Sequence, residues 1–135
     1  MNNKKVLVMC TGNSCRSIIG EALLNAKVNG VSAYSCGVAP SGSVNVNAKK
    51  VLEDNGIWNE SYHSKHLDSL SDIDFDLVVT VCDHANETCP MFPKKTKTIH
   101  VGFVDPDGKE FDEFVKTYAE IESVLLQEVR NALSI

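Results

Sequence analysis

The residues best suited to chemistry lie in one short segment near the N-terminus of this 135-residue chain. Cys10 and Arg16 bracket a run that reads Cys-Thr-Gly-Asn-Ser-Cys-Arg, directly after the apolar residues 6–9. A strand that feeds a tight loop with a helix behind it aims successive backbone N–H groups at one point, where a tetrahedral oxyanion can bind. The Cys10 thiol adds a nucleophile, and the Arg16 guanidinium adds a bidentate clamp for the oxyanion. The segment therefore predicts covalent chemistry on phosphate or on an anion of the same shape.

The interior of this segment is predicted to form the oxyanion cradle. The residues assigned to oxyanion binding are Thr11, Gly12, Asn13, Ser14, Cys15 and Arg16. Ser17 follows the cradle, and its hydroxyl could stabilise the Cys10 sulfur both as a thiolate and later as a leaving group. Capping of the following helix is a second role that is compatible with the first. Cys15 is expected to shape the loop and not to react.

Asp105 is the candidate general acid. It follows the last predicted strand and precedes Pro106, Asp107 and Gly108. A carboxylic acid beside the substrate can protonate a departing oxygen. Asp-Pro is also a common turn signal. Its place after the last strand, downstream of the Cys10–Arg16 loop, favours the acid role.

A second cysteine pair, Cys82 and Cys89, is separated by six residues. The two could be incidental small hydrophobic residues, zinc ligands together with His84, or a redox pair. Zinc is disfavoured because the tight Cys-x2-Cys pairs of structural sites are missing. A redox pair is favoured because Cys82 should lie near Cys10 at the same edge of the sheet. The remaining cysteine, Cys36, ends a predicted strand and is expected in the core.

The bulk composition predicts a single globular domain over residues 1–135. Hydrophobic residues make up 43% and charged residues 23%, which is typical of such domains. The net charge of −5 argues against a nucleic-acid partner. No run approaches the ~20 apolar residues of a membrane span, and the N-terminus lacks the apolar core of a signal peptide. We therefore expect a cytoplasmic protein, where five cysteines indicate metal binding, catalysis or transient redox chemistry.

The hydrophobic pattern predicts an α/β fold. Strands are expected at 6–9, 31–36, 77–81 and 98–101, with helices at 17–29, 47–55 and from Phe111 to at least Val129. One or two helical turns are expected within 64–71, and a loop or frayed helix at 82–93. This alternation predicts a single-domain three-layer sandwich with a central four-stranded parallel sheet. Ligands bind at the carboxyl ends of such strands, where Cys10, Cys82 and Asp105 should converge.

Three stretches carry a resemblance to a known family: CTGNSCRS, VVTVCDHANETCP and FVDPDGKEF. They resemble the thioredoxin-coupled arsenate reductases, which share their fold with the low-molecular-weight protein tyrosine phosphatases. The first stretch is typical of the whole superfamily, whereas Cys82 and Cys89 are typical of the reductases. The resemblance implies arsenate as substrate, thioredoxin as reductant, arsenic resistance as the role, a monomer, and neither a metal nor an organic cofactor.

The resemblance also implies a redox relay. Cys10 would attack arsenate, and Asp105 would protonate the departing oxygen. Cys82 would then attack Cys10, which releases arsenite and leaves a Cys10–Cys82 disulfide. Cys89 would attack Cys82, which forms a Cys82–Cys89 disulfide for thioredoxin to reduce.

Two alternatives remain open. A tyrosine phosphatase would use Cys10, Arg16 and Asp105 with water as the second nucleophile, and it usually has tyrosines after the Asp-Pro pair. Here Asp107 and Gly108 follow, so the tyrosines that grip an aromatic substrate are missing. A weak phosphatase side activity is still expected, because phosphate and arsenate have nearly the same shape. A redox sensor or zinc module without enzymatic activity is the other alternative.

One position departs from the family pattern. Some members bind potassium beside the anion loop with residues that align with Asn13, Glu21, Cys36 and Lys65, where a serine and an acid are expected at the last two. A thiol is a poor ligand for potassium, and an ammonium repels it. We expect the Lys65 ammonium to replace the ion and pair with Glu21; the alternative is that Lys65 points to solvent.

Overall fold

Four parallel strands form one sheet in the computed structural model, which describes residues 3–83 and 91–135. They are β1 (Lys4–Cys10), β2 (Val31–Gly37), β3 (Leu77–Thr80) and β4 (Thr98–His100). The spatial order is β2-β1-β3-β4, and all neighbours pair in parallel. The predicted sheet is confirmed, with β1 at its centre.

The central strand β1 is buried on both faces, which explains its unbroken apolar run. Residues 6–9 have no exposed surface. The strand begins two residues earlier than predicted, because the Lys4 amide donates to the Gly30 carbonyl (2.8 Å) and the Lys5 amide to the Asp76 carboxylate (2.8 Å). Its carboxyl end places Cys10 at the edge where the site forms.

Three α-helices cover one face of the sheet. They are α1 (Arg16–Lys27), α2 (Val46–Asp54) and α3 (Phe111–Leu133), and they share one hydrophobic core with Val6 and Val8 of β1. The opposite face carries a smaller cluster around Leu7 and Met9, covered by a 3-10 helix (Leu67–Leu70) and flanking loops. The three layers are therefore unequal, and the second covering layer is thin.

The long helix α3 is amphipathic. Phe114, Tyr118, Ile121, Leu125 and Val129 are buried at helical spacing, and they form the face that packs on the core. Most of the charged residues of the helix, such as Asp112, Lys116, Glu120 and Glu128, lie on its exposed side. In the described ranges, no helix combines the length and apolar content that crossing a bilayer requires.

Candidate active site

The anion loop connects β1 to α1 and wraps around the Cys10 sulfur. Cys10 is the last residue of β1 and is 2% exposed, and α1 begins six residues later at Arg16. Asn13 turns the chain with a left-handed backbone (φ 47°), which a non-glycine residue rarely adopts. This turn brings the Asn13 amide to 3.3 Å from the Cys10 sulfur, to which it donates.

Ser17 supplies a second hydrogen bond to the same sulfur. Its hydroxyl oxygen lies 3.0 Å from the Cys10 sulfur and accepts from the Asn13 side-chain amide at 2.7 Å. Since a thiolate can only accept, the Ser17 hydroxyl then donates to it. The expected capping role of Ser17 is wrong, because Cys15 holds the N-cap position of α1 and Ser17 lies within the helix.

Arg16 and Asp105 meet at the mouth of the loop. The Arg16 side chain is 4% exposed, and one terminal nitrogen donates to the Phe103 carbonyl at 3.1 Å. The other lies 3.5 Å from the Asp105 carboxylate, which is about half exposed. The Asp107 amide donates to the second Asp105 oxygen at 3.0 Å. The structure thus brings together the predicted guanidinium clamp and the predicted acid.

These groups surround a cavity of about 260 Å³. Its lining comprises Cys10, Thr11, Gly12, Asn13, Ser14, Cys15, Arg16, Ser41, Asp105 and Asp107. All six residues assigned to oxyanion binding are present. Ser41 and Asp107 were not predicted. The cavity has room for an inorganic oxyanion.

A buried hydrogen-bond network supports the loop from behind. The Asn13 side-chain amide donates to the Ser35 hydroxyl (3.0 Å), which donates to the Glu21 carboxylate (2.6 Å). The Asn13 side-chain oxygen accepts from the Lys65 backbone amide (2.9 Å). Burial raises the pKa of the Glu21 carboxyl, and the Ser35 hydrogen bond and the Lys65 charge counteract part of that rise. A polar path therefore runs from Glu21 to the thiol that Asn13 contacts.

The Lys65 ammonium donates to two backbone carbonyls beside this network. Its acceptors are Ser35 (3.0 Å) and His63 (2.8 Å). Burial lowers the pKa of Lys65, and the charge on Glu21 opposes that shift. The expected direct pairing with Glu21 is wrong, because Ser35 lies between the two and binds both. Lys65 is also half-buried and does not simply point to solvent.

Two further thiols in the described region, those of Cys36 and Cys15, are buried. Cys36 has no exposed surface and belongs to the smaller core cluster, so its predicted core role is confirmed. Cys15 is 2% exposed. Burial, with the nearby Asp105 and Asp107 carboxylates, raises the pKa of Cys15 to about 12. A thiol that stays protonated is a weak nucleophile, which is in line with the expected shaping role.

Cys82 lies at the same edge of the sheet as Cys10. It has no exposed surface and follows Val81, whose amide donates to the Met9 carbonyl at 3.0 Å. Cys82 is disulfide-bonded, whereas the thiol of Cys10 is free. Cys89 and His84, on which the redox and zinc alternatives depend, lie outside the described residues. Among the residues that are described, no three His, Cys, Asp or Glu side chains are grouped to hold a metal ion.

The sequence as a whole matches a known family model, described as low molecular weight phosphotyrosine protein phosphatase, over residues 5–133. The chain belongs to this phosphatase family. An arsenate reductase of Brevibacillus brevis is 39% identical over 121 residues, which is 89% of this chain and 90% of the relative. An arsenate reductase of Bacillus cereus is 40% identical over 124 residues, again 89% of this chain and 90% of the relative.

A solved structure has the same fold as this phosphatase-family chain. The arsenate reductase from Archaeoglobus fulgidus superposes with a TM-score of 0.79 at 31% identity, over 87% of this chain and 93% of the other. The low-molecular-weight phosphatase fold and the resemblance to the arsenate reductases are both confirmed.

Several residues of the site carry no clear signal in the sequence. Ser35 approaches the loop from β2 and has no such signal. Lys65 approaches it from the segment before the 3-10 helix, and the family resemblance had already singled that residue out. Asn45 could have been recognised as an N-cap, because it precedes a helical pattern. Its contact with Asp107, 62 positions away, has no local signature.

Proposed function

We propose that this chain reduces arsenate to arsenite in arsenic detoxification, with thioredoxin as the external reductant. The observation that carries the proposal is the free, buried Cys10 thiol in a cavity lined by the Cys10–Arg16 loop, with Cys82 at the same edge of the sheet. The relatives described above are named arsenate reductases, which supports the choice of oxyanion.

In the first step, the oxyanion binds in the loop and Cys10 attacks arsenic. The backbone amides of the loop and the Arg16 guanidinium stabilise the charge on the oxyanion. The Ser17 hydroxyl and the Asn13 backbone amide both lie within hydrogen-bond distance of the attacking Cys10 sulfur. Asp105, which contacts Arg16 at the mouth of the cavity, donates a proton to the departing oxygen, so that water leaves and an As–S bond forms.

In the second step, the Cys82 thiolate attacks the Cys10 sulfur. A sulfur–sulfur bond forms, and the As–S bond breaks with its electron pair going to arsenic, which becomes As(III). Each of the two sulfur atoms is thereby oxidised by one electron. The same Ser17 hydroxyl is then in place to stabilise Cys10 when it departs as a thiolate.

In the third step, Cys89 attacks Cys82, which frees Cys10 and moves the disulfide to the Cys82–Cys89 pair. Thioredoxin reduces that disulfide and resets the enzyme. A disulfide that forms and is reduced again in every cycle suits the cytoplasm, where we place this reaction, and the resemblance to the reductases suggests a monomer. The relay needs no metal or organic cofactor.

The decisive experiment couples arsenate reduction to NADPH oxidation through thioredoxin and its reductase. The wild type should turn over steadily, whereas Cys89→Ser should stop after at most one round because no disulfide reaches thioredoxin. Cys36→Ala is the matched cysteine control, because its buried sulfur belongs to the core cluster, and it should keep turning over. Continued turnover by Cys89→Ser would overturn the relay.

Phosphomonoester hydrolysis is the second candidate, and the family favours it as a side activity. Cys10, Arg16 and Asp105 are sufficient for it, with water in place of Cys82. We expect Cys82→Ser to lose arsenate reduction and to keep slow hydrolysis of p-nitrophenyl phosphate. Loss of both activities in a folded variant would contradict this division.

A further inference from the structure

The Asp107 carboxylate lines the cavity, although the proposed relay gives it no role. One of its oxygens (Oδ1) accepts a 2.7 Å hydrogen bond from the Asn45 side-chain amide and lies 4.0 Å from the Cys15 sulfur. Among residues 3–83 and 91–135, nothing donates to its other oxygen (Oδ2). Asp107 thus presents an unused acceptor at the edge of the anion site.

Asn45 binds the Asp107 carboxylate and also makes hydrogen bonds to α2 and to the anion loop. Its side-chain oxygen caps α2 by accepting from the amides of Asn47 (2.8 Å) and Ala48 (3.4 Å). Its backbone amide donates to the Ser14 carbonyl in the anion loop (3.0 Å). Asn45 therefore links the anion loop, α2 and Asp107, which holds an exposed carboxylate in a defined place.

A fixed carboxylate beside an anion site distinguishes anions that carry an O–H group from anions that do not. A carboxylate is an acceptor only, so it binds an O–H group and repels an unprotonated oxygen. Free arsenate and free phosphate keep at least one O–H group at neutral pH. The dianion of an organic ester or phosphonate has none.

We propose that Asp107, held by Asn45, makes the site selective for free hydroxylated oxyanions over organic phosphates and phosphonates. The inference deepens the proposed function, since it rests on the same cavity and explains why inorganic arsenate is the preferred class of substrate. A site built to bond a ligand hydroxyl discriminates strongly against analogues that lack it. Asp107 is also exposed to water, so the discrimination is modest.

The test compares inorganic phosphate with methylphosphonate, which cannot be hydrolysed. At a pH where both are dianions they have the same charge, and they differ by O–H against CH3. Calorimetric titration of the reduced wild type should give a phosphate affinity about tenfold higher, which corresponds to about 1.4 kcal/mol. Asp107→Asn keeps the backbone amide that binds Asp105, and it should bring the affinity ratio close to one.

Two further variants separate selection from general effects. Asp54→Asn removes the same charge at the far end of α2, about 13 Å along the helix, and should leave the ratio unchanged. Asn45→Ser keeps a capping hydroxyl but lacks the amide donor to Asp107, so its ratio should fall between those of the wild type and Asp107→Asn.

The outcomes can be told apart. An unchanged ratio in Asp107→Asn, or equal weakening of both ligands, overturns the inference, because Asp107 would then be a positioning residue only. The absence of phosphate binding by the wild type overturns it as well. A shifted ratio in a protein that does not reduce arsenate supports this inference and contradicts the proposed function.

Discussion

Removing the Ser17 hydroxyl is the most direct test of how the site activates its thiol. The hydroxyl lies 3.0 Å from the Cys10 sulfur, and both residues are at most 2% exposed. It also accepts from the Asn13 side-chain amide at 2.7 Å. Ser17→Ala therefore removes one donor from the thiolate and leaves one amide hydrogen of Asn13 without this acceptor.

The size of the effect follows from burial. A hydrogen bond to a charged group contributes about 1.5–3 kcal/mol, and water has little access here to replace it. Since about 1.4 kcal/mol is a factor of ten in rate, kcat for arsenate should fall about 10- to 100-fold. The loop amides and Arg16 still bind the oxyanion, so KM should change much less. The unpaired Asn13 amide should lower the free energy of unfolding by about 1–3 kcal/mol.

The assay is steady-state arsenate reduction coupled to thioredoxin, with kcat and KM determined separately. Ser123→Ala is the matched control, because that exposed hydroxyl donates to the Glu120 carbonyl on α3, away from the site. Thermal denaturation and phosphate binding show whether Ser17→Ala is folded. A kcat change of less than about threefold in folded protein, or a rise in KM alone, would refute the reasoning.

Four further predictions concern the residues around the loop. Lys65→Met removes a positive charge that lowers the pKa of the Glu21 carboxyl, so this pKa should rise further in the folded variant. A carboxyl whose pKa is higher in the folded protein than in the unfolded chain lowers stability at every pH where the unfolded chain ionises it. The variant's loss of unfolding free energy should therefore grow above pH 4.5, to about 1–3 kcal/mol at neutral pH. Denaturant titrations from about pH 4 to about pH 8 measure it, and a loss that is equal at every pH contradicts it. The same Lys65 ammonium makes potassium unnecessary, so replacing sodium by potassium should leave wild-type turnover unchanged. Gly37→Ala would place a Cβ against the Thr11 carbonyl oxygen, closer than van der Waals contact allows, so the loop must shift. Calorimetry should then show weaker phosphate binding and a loss of about 1–3 kcal/mol of stability. Iodoacetamide at neutral pH should spare Cys15, whose pKa is raised to about 12, and peptide mass mapping that finds it alkylated first would contradict this.

The two central strands of the sheet could be predicted because they are buried on both faces. Residues 6–9 and 77–79 read as unbroken apolar runs, and each lies in a strand of the structure. The ends of elements were less accurate where long-range contacts decide them. The hydrogen bonds of the Lys4 and Lys5 amides extend β1 beyond its apolar run.

The anion loop could be predicted because its residues are contiguous, whereas its supports could not. Asn13 was assigned to oxyanion binding, but its side chain faces inward to Ser17 and Ser35. Ser35 itself reads as an ordinary strand residue. The Asn45–Asp107 contact joins a helix cap to a turn, and each alone is explained by its local sequence. Functional groups that are neighbours in the sequence can be recognised from the sequence alone. Groups that only the fold brings together cannot.

The left-handed backbone at Asn13 has a consequence for competition inside a cell. Because hydrogen bonds to Ser17, Ser35 and the Lys65 amide already hold this residue, the cradle is complete before any anion arrives. A finished cradle recognises tetrahedral shape and charge, which arsenate and the far more abundant phosphate share. Phosphate should therefore act as a competitive inhibitor of arsenate reduction. Arsenate is then distinguished by what happens next, since arsenic accepts an electron pair from sulfur and phosphorus does not.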